Sequence, residues 1–340
     1  MHVGLIGISY KSSDLEVREL FIKASSKLLE EEFKVSSGVF LVLLSTCNRT
    51  EIYFTSEDLA EGHSAILAEL KKEEGDLFEH KLYSYFGETC FDHLAKVTTG
   101  FESVIFGEAE IQRQVKDAYQ KACLTQSLPS SIHYLFQKSL KIGKEIRTIH
   151  SLPKGSVSIE STVADLIRYF FGTDKSLSVL FVGYSEINRK VVSFLQTKGF
   201  LEISLATRNG DVAREMAQRQ SIKLIPWFEI GAWPEYDVVI TGTHSSQFLL
   251  RPDQIPSFGL TPSIQTRLVV DLSLPRNVDP SIEKHPAITL FNIEEMNSFM
   301  DQKQRGSSKE KEKIRKKIEE SVSSSFSLYQ SKKKKIFVCA

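Results

Sequence analysis

The sequence is poor in cysteine: four in 340 residues, Cys47, Cys90, Cys123 and Cys339. That is too few and too scattered for a disulfide framework or a clustered zinc site, so no metal is expected and each cysteine is read as a thiol. Long apolar runs are also missing. Val39–Leu44 is the longest stretch and falls far short of the roughly 20 residues of a membrane span. The opening residues, MHVGLIGISYKSS, lack the basic start and small-residue cleavage site of a secretion signal, so a reducing cytoplasm is the expected compartment. Net charge is absent as well, with 43 Lys and Arg against 43 Asp and Glu. No global field recruits a polyanion, and any nucleic acid would have to meet a local patch. No internal repeat is present.

What is there is enough chain for two or three domains of about 100–200 residues each. In the first part, HVGLIGIS, VFLVLL, EIYF and Leu82–Phe86 read as strands. Asp14–Phe33, Leu59–Glu74, Thr89–Thr99, Glu108–Thr125 and Ser131–His150 read as helices, with GFESVIFGE as a loop. This order predicts an α+β domain over residues 1–150, of ferredoxin-like class. SLPKGS (151–156) marks a boundary by its Pro and Gly. Beyond it, Val157–Phe171 reads as a helix, and strands SVLFVG, ISLATRN, YDVVITGT and RLVVDLSLP alternate with helices at Ile187–Lys198 and Val212–Gln220. That alternation predicts a parallel, doubly wound Rossmann-like sheet over residues 151–295. Residues 296–340 turn polar and carry one narrow stripe, Ile314, Ile318, Val322, Phe326 and Tyr329, which predicts a helix needing a surface to cover it. Lys332–Lys335 reads as a disordered tail.

The chemistry concentrates in LVLLSTCNRTEIYF, where an apolar strand ends in a cysteine between small hydroxyls and an arginine. A structural cysteine is the ordinary alternative, since free Cys is among the most buried residue types. At a strand exit, however, Cys47 has loop donors and solvent at hand, and Arg49 is placed to stabilise a thiolate, the form that attacks. In VLFVGYSEINRKVV a strand ends in Gly183 and a helix follows, the place where a dinucleotide pyrophosphate meets a helix N-terminus. Ser185 and Asn188 stand where that turn usually has glycines, so an ordinary strand–helix turn is an equal reading. Arg208 ends the next strand in place of an acid, which suits a 2′-phosphate and hence NADP. Lys138, Lys141, Lys144 and Arg147 recur every three residues on one helix, either as a solvated face or as phosphate contacts. His93 on its helix reads as structural by itself, and Glu108 and Glu110 as carboxylates opening a helix.

Taken in order, GISYKSSDLEVRE, LSTCNRTEIY, GFESVIFGEAEIQRQVK and VDLSLPRNVDP resemble the glutamyl-tRNA reductase family over about residues 1–330. The resemblance implies NADPH-dependent reduction of glutamyl-tRNA(Glu) to glutamate-1-semialdehyde through a cysteine thioester, the first step toward 5-aminolevulinate and tetrapyrroles. It implies that Cys47 is the nucleophile and His93 a residue important for activity. It places Thr46, Asn48, Arg49, Ser103, Glu108, Ala109, Glu110 and Gln114 at substrate positions. Gly183, Tyr184, Ser185, Glu186, Ile187 and Asn188 fall on the NADP turn. In this reading the Arg49 fork receives the substrate carboxylate, and the hydroxyls with loop N–H groups face a developing oxyanion. A glutamate-1-semialdehyde aminomutase is the implied recipient of the product. The sequence departs from the family pattern at Tyr10, where His is usual, at Ala109-Glu110 for Pro-Gln, and in the altered glycine turn. It departs also in the short segment available for a helical dimerisation domain, which leaves a homodimer open. The rivals are another cysteine-dependent NADP oxidoreductase and a non-catalytic tRNA-binding paralogue.

Overall fold

The computed structural model describes residues 1–340 except 31–32, 34–37, 76, 79, 150–157, 201, 244, 256–265, 304–307 and 339–340. The boundary read at 151–156 lies outside the described residues. Two compact units divide the chain: Met1–Ser156 with Gln304–Ala340, and Val157–Lys303.

The first unit is built on strands β1 (Gly4–Ser9), β2 (Phe40–Ser45), β3 (Arg49–Thr55) and β4 (Tyr83–Phe86), ordered β2-β3-β1-β4 with antiparallel neighbours. Helix α1 (Leu15–Lys27) connects β1 to β2, and α2 (Leu59–Glu74) connects β3 to β4. This βαββαβ path is the ferredoxin-like arrangement. Strand alternation sorts the side chains between two cores. Ile6, Ile8, Leu41, Ile52 and Phe54 face α1 and α2. Val3, Leu5, Val42, Leu44 and Tyr53 face the opposite layer. That layer contains α3 (Gly87–Thr99), α4 (Glu110–Thr125), α5 (Ser130–Ile149) and α10 (Ser308–Val338).

Helix α1 is shorter than its pattern. Asp14 caps it by accepting from the Val17 N–H, and it closes at Leu28. Helix α4 begins at Glu110, so Glu108 stays in the preceding loop and does not serve the helix dipole. The stripe on α10 finds its cover within this unit. Ile314, Ile318, Val322 and Tyr329 are buried. The Tyr134 hydroxyl donates to the Ser325 carbonyl (2.7 Å), and Lys96 bridges Asp92 (2.7 Å) and Glu319 (3.1 Å). The lysine run at Lys332–Lys335, read as a disordered tail, instead continues this helix in its backbone.

The second unit has a six-stranded parallel sheet, ordered β10-β9-β8-β5-β6-β7. Its strands are β5 (Val179–Val182), β6 (Ile203–Ala206), β7 (Lys223–Ile225), β8 (Val238–Thr241), β9 (Arg267–Asp271) and β10 (Ile288–Phe291). Helices α6 (Ile159–Phe171), α7 (Glu186–Thr197), α8 (Gly210–Arg219) and α9 (Ile293–Lys303) complete it, so α9, divided by the expected limit at 295, belongs wholly to this unit. The order reverses between β5 and β8, and open parallel sheets bind ligands at such a reversal. No helix among the described residues is long and apolar enough to cross a membrane.

Candidate active site

The Cys47 hairpin is tight. The Thr46 N–H donates to the Arg49 carbonyl (2.8 Å), and the Thr46 hydroxyl oxygen accepts from the N–H groups of Asn48 and Arg49, both at 3.2 Å. Thr46 thereby uses its side chain to hold the turn, as threonine does in such loops. The neighbouring loop after β1 closes against it, with the Tyr10 N–H on the Asn48 carbonyl (2.9 Å). Cys47 and Asn48 sit at the tip, half-buried.

Below the tip lies a buried carboxylate. Glu51 follows Arg49 by two along β3, so both point into the same layer. Its Oε1 accepts from Arg49 Nη1 (2.8 Å) and the Tyr83 hydroxyl (2.8 Å), and pairs with His93 Nε2 (2.7 Å). Its Oε2 accepts from the Tyr53 hydroxyl (2.6 Å). Gly7, paired with both Glu51 and Tyr83, makes this convergence possible. A Cβ there would stand 2.8 Å from the Tyr83 ring and 2.9 Å from Glu51 Cγ. Burial works to raise the Glu51 carboxyl, but His93, Arg49 and the hydroxyl donors outweigh it and hold the group well below the usual carboxylate range. Burial, and then the same carboxylate, push Tyr53 and Tyr83 upward and keep both as neutral donors. The His93 ring lies against both Tyr83 (5.5 Å) and Tyr85 (5.0 Å). When Nε2 donates to Glu51, Nδ1 is the remaining ring nitrogen for proton exchange.

Arg49 is 3% exposed, and both terminal nitrogens are engaged by the protein: Nη1 by Glu51 and Nη2 by the Glu102 carbonyl (2.5 Å). The fork expected for a substrate carboxylate is thus closed on the chain itself, and it ties the cysteine hairpin to the loop carrying Ser103. Arg49 also pulls the Cys47 thiol downward as expected, but the balance runs the other way. Burial, and then the charge of Glu108, push the thiol up to about 12 against the pull of Arg18 and Arg49. The free protein therefore holds Cys47 protonated. Arg18, a buried arginine of α1 whose Nη1 donates to the Ser13 carbonyl (3.0 Å), escaped the sequence reading, as did Glu51, Tyr53 and Tyr83.

The loop from Gly100 to Ala109 folds back on itself. Gly100 adopts φ +77°, and a Cβ there would stand 2.7 Å from the Glu108 nitrogen. Arg147, counted with the lysine row as surface, turns inward. Its Nη1 donates to the Gly107 carbonyl (2.7 Å), and its Nη2 donates to Thr99 (3.1 Å) and to Glu108. Ser103 and Glu108 are half-buried in this loop, and Ala109 is exposed. Glu110 turns to Arg113, while Gln114 lies one turn further along α4, half-buried. Cys90, a residue of α3, is fully buried in the core, and Cys123 is exposed.

In the second unit the altered glycine turn has its own logic. Gly183, at φ +97°, leaves β5 against Gly242 and Thr243, where a Cβ would stand 2.4 Å from Thr243 Cγ2. Ser185 caps α7 by accepting from the Asn188 N–H (3.2 Å). Asn188 is buried and donates through Nδ2 to the carbonyls of Val182 (3.0 Å) and Gly183 (2.8 Å). Gly242, which the sequence reading passed over, makes room for it: a Cβ there would stand 2.5 Å from Asn188 Oδ1. A hydrogen-bonded Asn facing a glycine thus replaces the close-packing glycine of the usual turn. Tyr184 carries the Arg189 guanidinium over its ring (5.3 Å), and Glu186 and Ile187 open the helix. Arg208 lies over the Trp227 ring (5.0 Å) and makes no ion pair among the described residues. Asp271, buried at the end of β9, accepts from Thr241, Ser273, Asn277 and Val278 and shapes the adjoining loop.

A ferredoxin-like unit with a cysteine over a buried His–Glu–Arg–Tyr cluster, joined in one chain to a doubly wound unit of nucleotide-binding topology, defines a two-part oxidoreductase. Comparison with known proteins narrows this. The family model for the N-terminal domain of glutamyl-tRNAGlu reductase matches residues 6–149, and that for shikimate/quinate 5-dehydrogenase matches residues 165–299. Glutamyl-tRNA reductase of Chlamydia pneumoniae is 36% identical over 284 residues, covering 81% of this chain and 78% of the relative. That of Akkermansia muciniphila is 30% identical over 335 residues, covering 96% and 98%. Among solved structures, glutamyl-tRNA reductase from Methanopyrus kandleri matches with 24% identity and a TM-score of 0.47, covering 98% of this chain and 81% of that one. The chain belongs to the glutamyl-tRNA reductase family.

Proposed function

We propose that this protein reduces glutamyl-tRNA(Glu) with NADPH to glutamate-1-semialdehyde, the first step toward 5-aminolevulinate and tetrapyrroles. The observation that carries the reading is Cys47 at the hairpin tip, flanked by Glu108 and backed by the Arg49–Glu51–His93 cluster. Cys47 is a thiol at rest, and Glu108 helps keep it so. The ammonium of an aminoacyl ester seated beside Glu108 would cancel that repulsion, so the substrate itself favours the thiolate. The sulfur then attacks the ester carbonyl, the carbon–oxygen bond to the tRNA 3′ end breaks, and tRNA leaves as its hydroxyl. The Cys47 N–H at the hairpin tip would face the developing oxyanion, while the Asn48 N–H stays on the Thr46 hydroxyl and holds the turn. A thioester is less resonance-stabilised than an ester, so its carbonyl accepts hydride more readily.

The second unit fits a nicotinamide dinucleotide phosphate. The turn after Gly183 and the start of α7 offer backbone N–H groups to a pyrophosphate. The Arg208 guanidinium, with no carboxylate partner among the described residues, suits a 2′-phosphate. The bound cofactor supplies the hydride that releases the aldehyde. His93, its ring fixed by Glu51 through Nε2, would return the proton that Cys47 takes back. The free aldehyde is a fit substrate for an aminomutase.

Incubation with glutamyl-tRNA and NADPH should yield glutamate-1-semialdehyde, with NADH a poorer reductant. Without NADPH, intact mass should show a glutamyl adduct on Cys47, and Cys47→Ser should give no aldehyde. An adduct confined to Cys90 or Cys123 would overturn the assignment.

A further inference from the structure

The lysine row of α5 is not absorbed by the chemistry above. Only Arg147, at the end nearest the 100–109 loop, turns inward to hold that loop. Lys144 and Lys141 stay exposed, about 4.5 and 9 Å back along the helix axis at a rise of 1.5 Å per residue. They line one side of a groove of about 620 Å³ between α4 and α5. Arg113, Lys116 and Tyr119 of α4 line the other side, and Ala109 stands at the mouth, next to Glu108. Four cations and no carboxylate line this groove. Arg113 is held by Glu110 and Asp117, and Lys141 is 3.6 Å from Glu145. Lys116 and Lys144 have no ion pair among the described residues. The walls are stiff. Tyr119 stacks on Phe136 (5.3 Å, 9°) and its hydroxyl meets His133 Nδ1 at 2.6 Å, while Gln112 Nε2 donates to the Leu140 carbonyl (3.2 Å).

We propose that this groove is the track for the single-stranded 3′ end of the tRNA, with Lys116 and Lys144 contacting its phosphates and Arg113 and Lys141 flanking them. This rests on the glutamyl-tRNA reading above. The molecule carries zero net charge, so a polyanion must be held by a local field, and this groove opens directly onto the loop that holds Glu108. An ester at the chain's 3′ terminus can reach Cys47 only if the last nucleotides lie on this unit. A cationic groove with an apolar wall holds single strands with little regard to sequence.

The test compares wild type with Lys116→Ala/Lys144→Ala in three measurements: binding of deacylated tRNA against salt, turnover of glutamyl-tRNA with NADPH, and turnover of 3′-O-glutamyl-adenosine, which lacks the strand. Both substitutions are on exposed side chains, and an unchanged thermal midpoint confirms folding. The double variant should bind tRNA about ten- to a hundredfold more weakly, with a salt slope smaller by about 0.7 per lysine. KM for glutamyl-tRNA should rise accordingly, with kcat and the glutamyl-adenosine rate unchanged. Equal tRNA affinity in the two proteins, or an equal loss on both substrates, would overturn the groove. If wild type binds tRNA in the groove but reduces neither substrate, the reductase reading fails while the binding arm still judges the groove.

Discussion

At the scale of single residues, the cysteine and the acid beneath it do opposite things with charge. Glu51 stays ionised in a buried setting because four donors converge on it. Removing one partner of such a cluster costs about 3–5 kcal/mol, since the rest is left uncompensated. Cys47 stays neutral because burial and Glu108 disfavour the anion. Reaction with iodoacetamide reports this directly. Thiolate is the reacting form, so with the pKa pushed up to about 12 the Cys47 rate at pH 8 should lie at least about tenfold below that of a small-molecule thiol. It should climb with pH without levelling below pH 10. Replacing Glu108 by Gln removes a negative neighbour, lowers the thiol pKa and should speed alkylation at fixed pH. Peptide mass mapping separates Cys47 from the exposed Cys123. A Cys47 rate that levels off near pH 8, or a slower rate in the Glu108→Gln protein, would show that the resting thiol is not held this way.

At the scale of elements, α10 does for the first unit what a core strand does elsewhere. It lays Ile314, Ile318 and Val322 on the core shared with α3 and α5. Ile318 is fully buried, so Ile318→Ala should cost about 2–5 kcal/mol, read from urea unfolding of the full chain. A cost below 1 kcal/mol would mean that α10 does not seal the core.

The same stripe was legible in the sequence because a four-three spacing is visible without any partner. Helix α2 was legible to its ends, since Asp58 caps its first turn and Gly75 follows its last. Other elements were not. Strand β7 has three residues, too few for alternation to register, and the following 3-10 turn at Trp227–Glu235 contains Pro234. Strand β10, at four residues, is little longer. In the site, Cys47 stood out because a hydrophobic strand stops at it. Glu51 did not, because an acid inside a strand reads as a solvent-facing residue. Only the register, which sets Glu51 beside Gly7 and Leu44, and the arrival of Tyr83 and His93 from distant elements show that it faces inward. The inward turn of Arg147 was hidden for the same reason: spacing gives a helix face, not what covers that face.

At the scale of the whole molecule, the two units are wired differently. The second is one continuous stretch, Val157–Lys303, holding its entire six-stranded sheet. Its core gathers Leu180, Val182, Ala206, Trp233, Val239 and Val269 from within that stretch. The first is discontinuous, and its core is unfinished until residues beyond 308 are in place. Burying Ile314, Ile318 and Val322 contributes about 1.5–3 kcal/mol per side chain as an upper range. Together that is comparable with the whole net stability of a domain, about 5–15 kcal/mol. Closing a long loop adds little further cost, because the entropy grows only with the logarithm of its length. The two units should therefore respond differently to cutting after residue 303. A fragment of residues 157–303 should melt cooperatively by circular dichroism, at the temperature of one transition of the full chain. Residues 1–303 should keep that transition and lose several degrees or more from the other, with the apolar faces of α3 and α5 newly binding a hydrophobic dye. If the 157–303 fragment shows no cooperative melt, the second unit depends on the first. If residues 1–303 melt as the full chain does, the stripe on α10 is not what completes the first core.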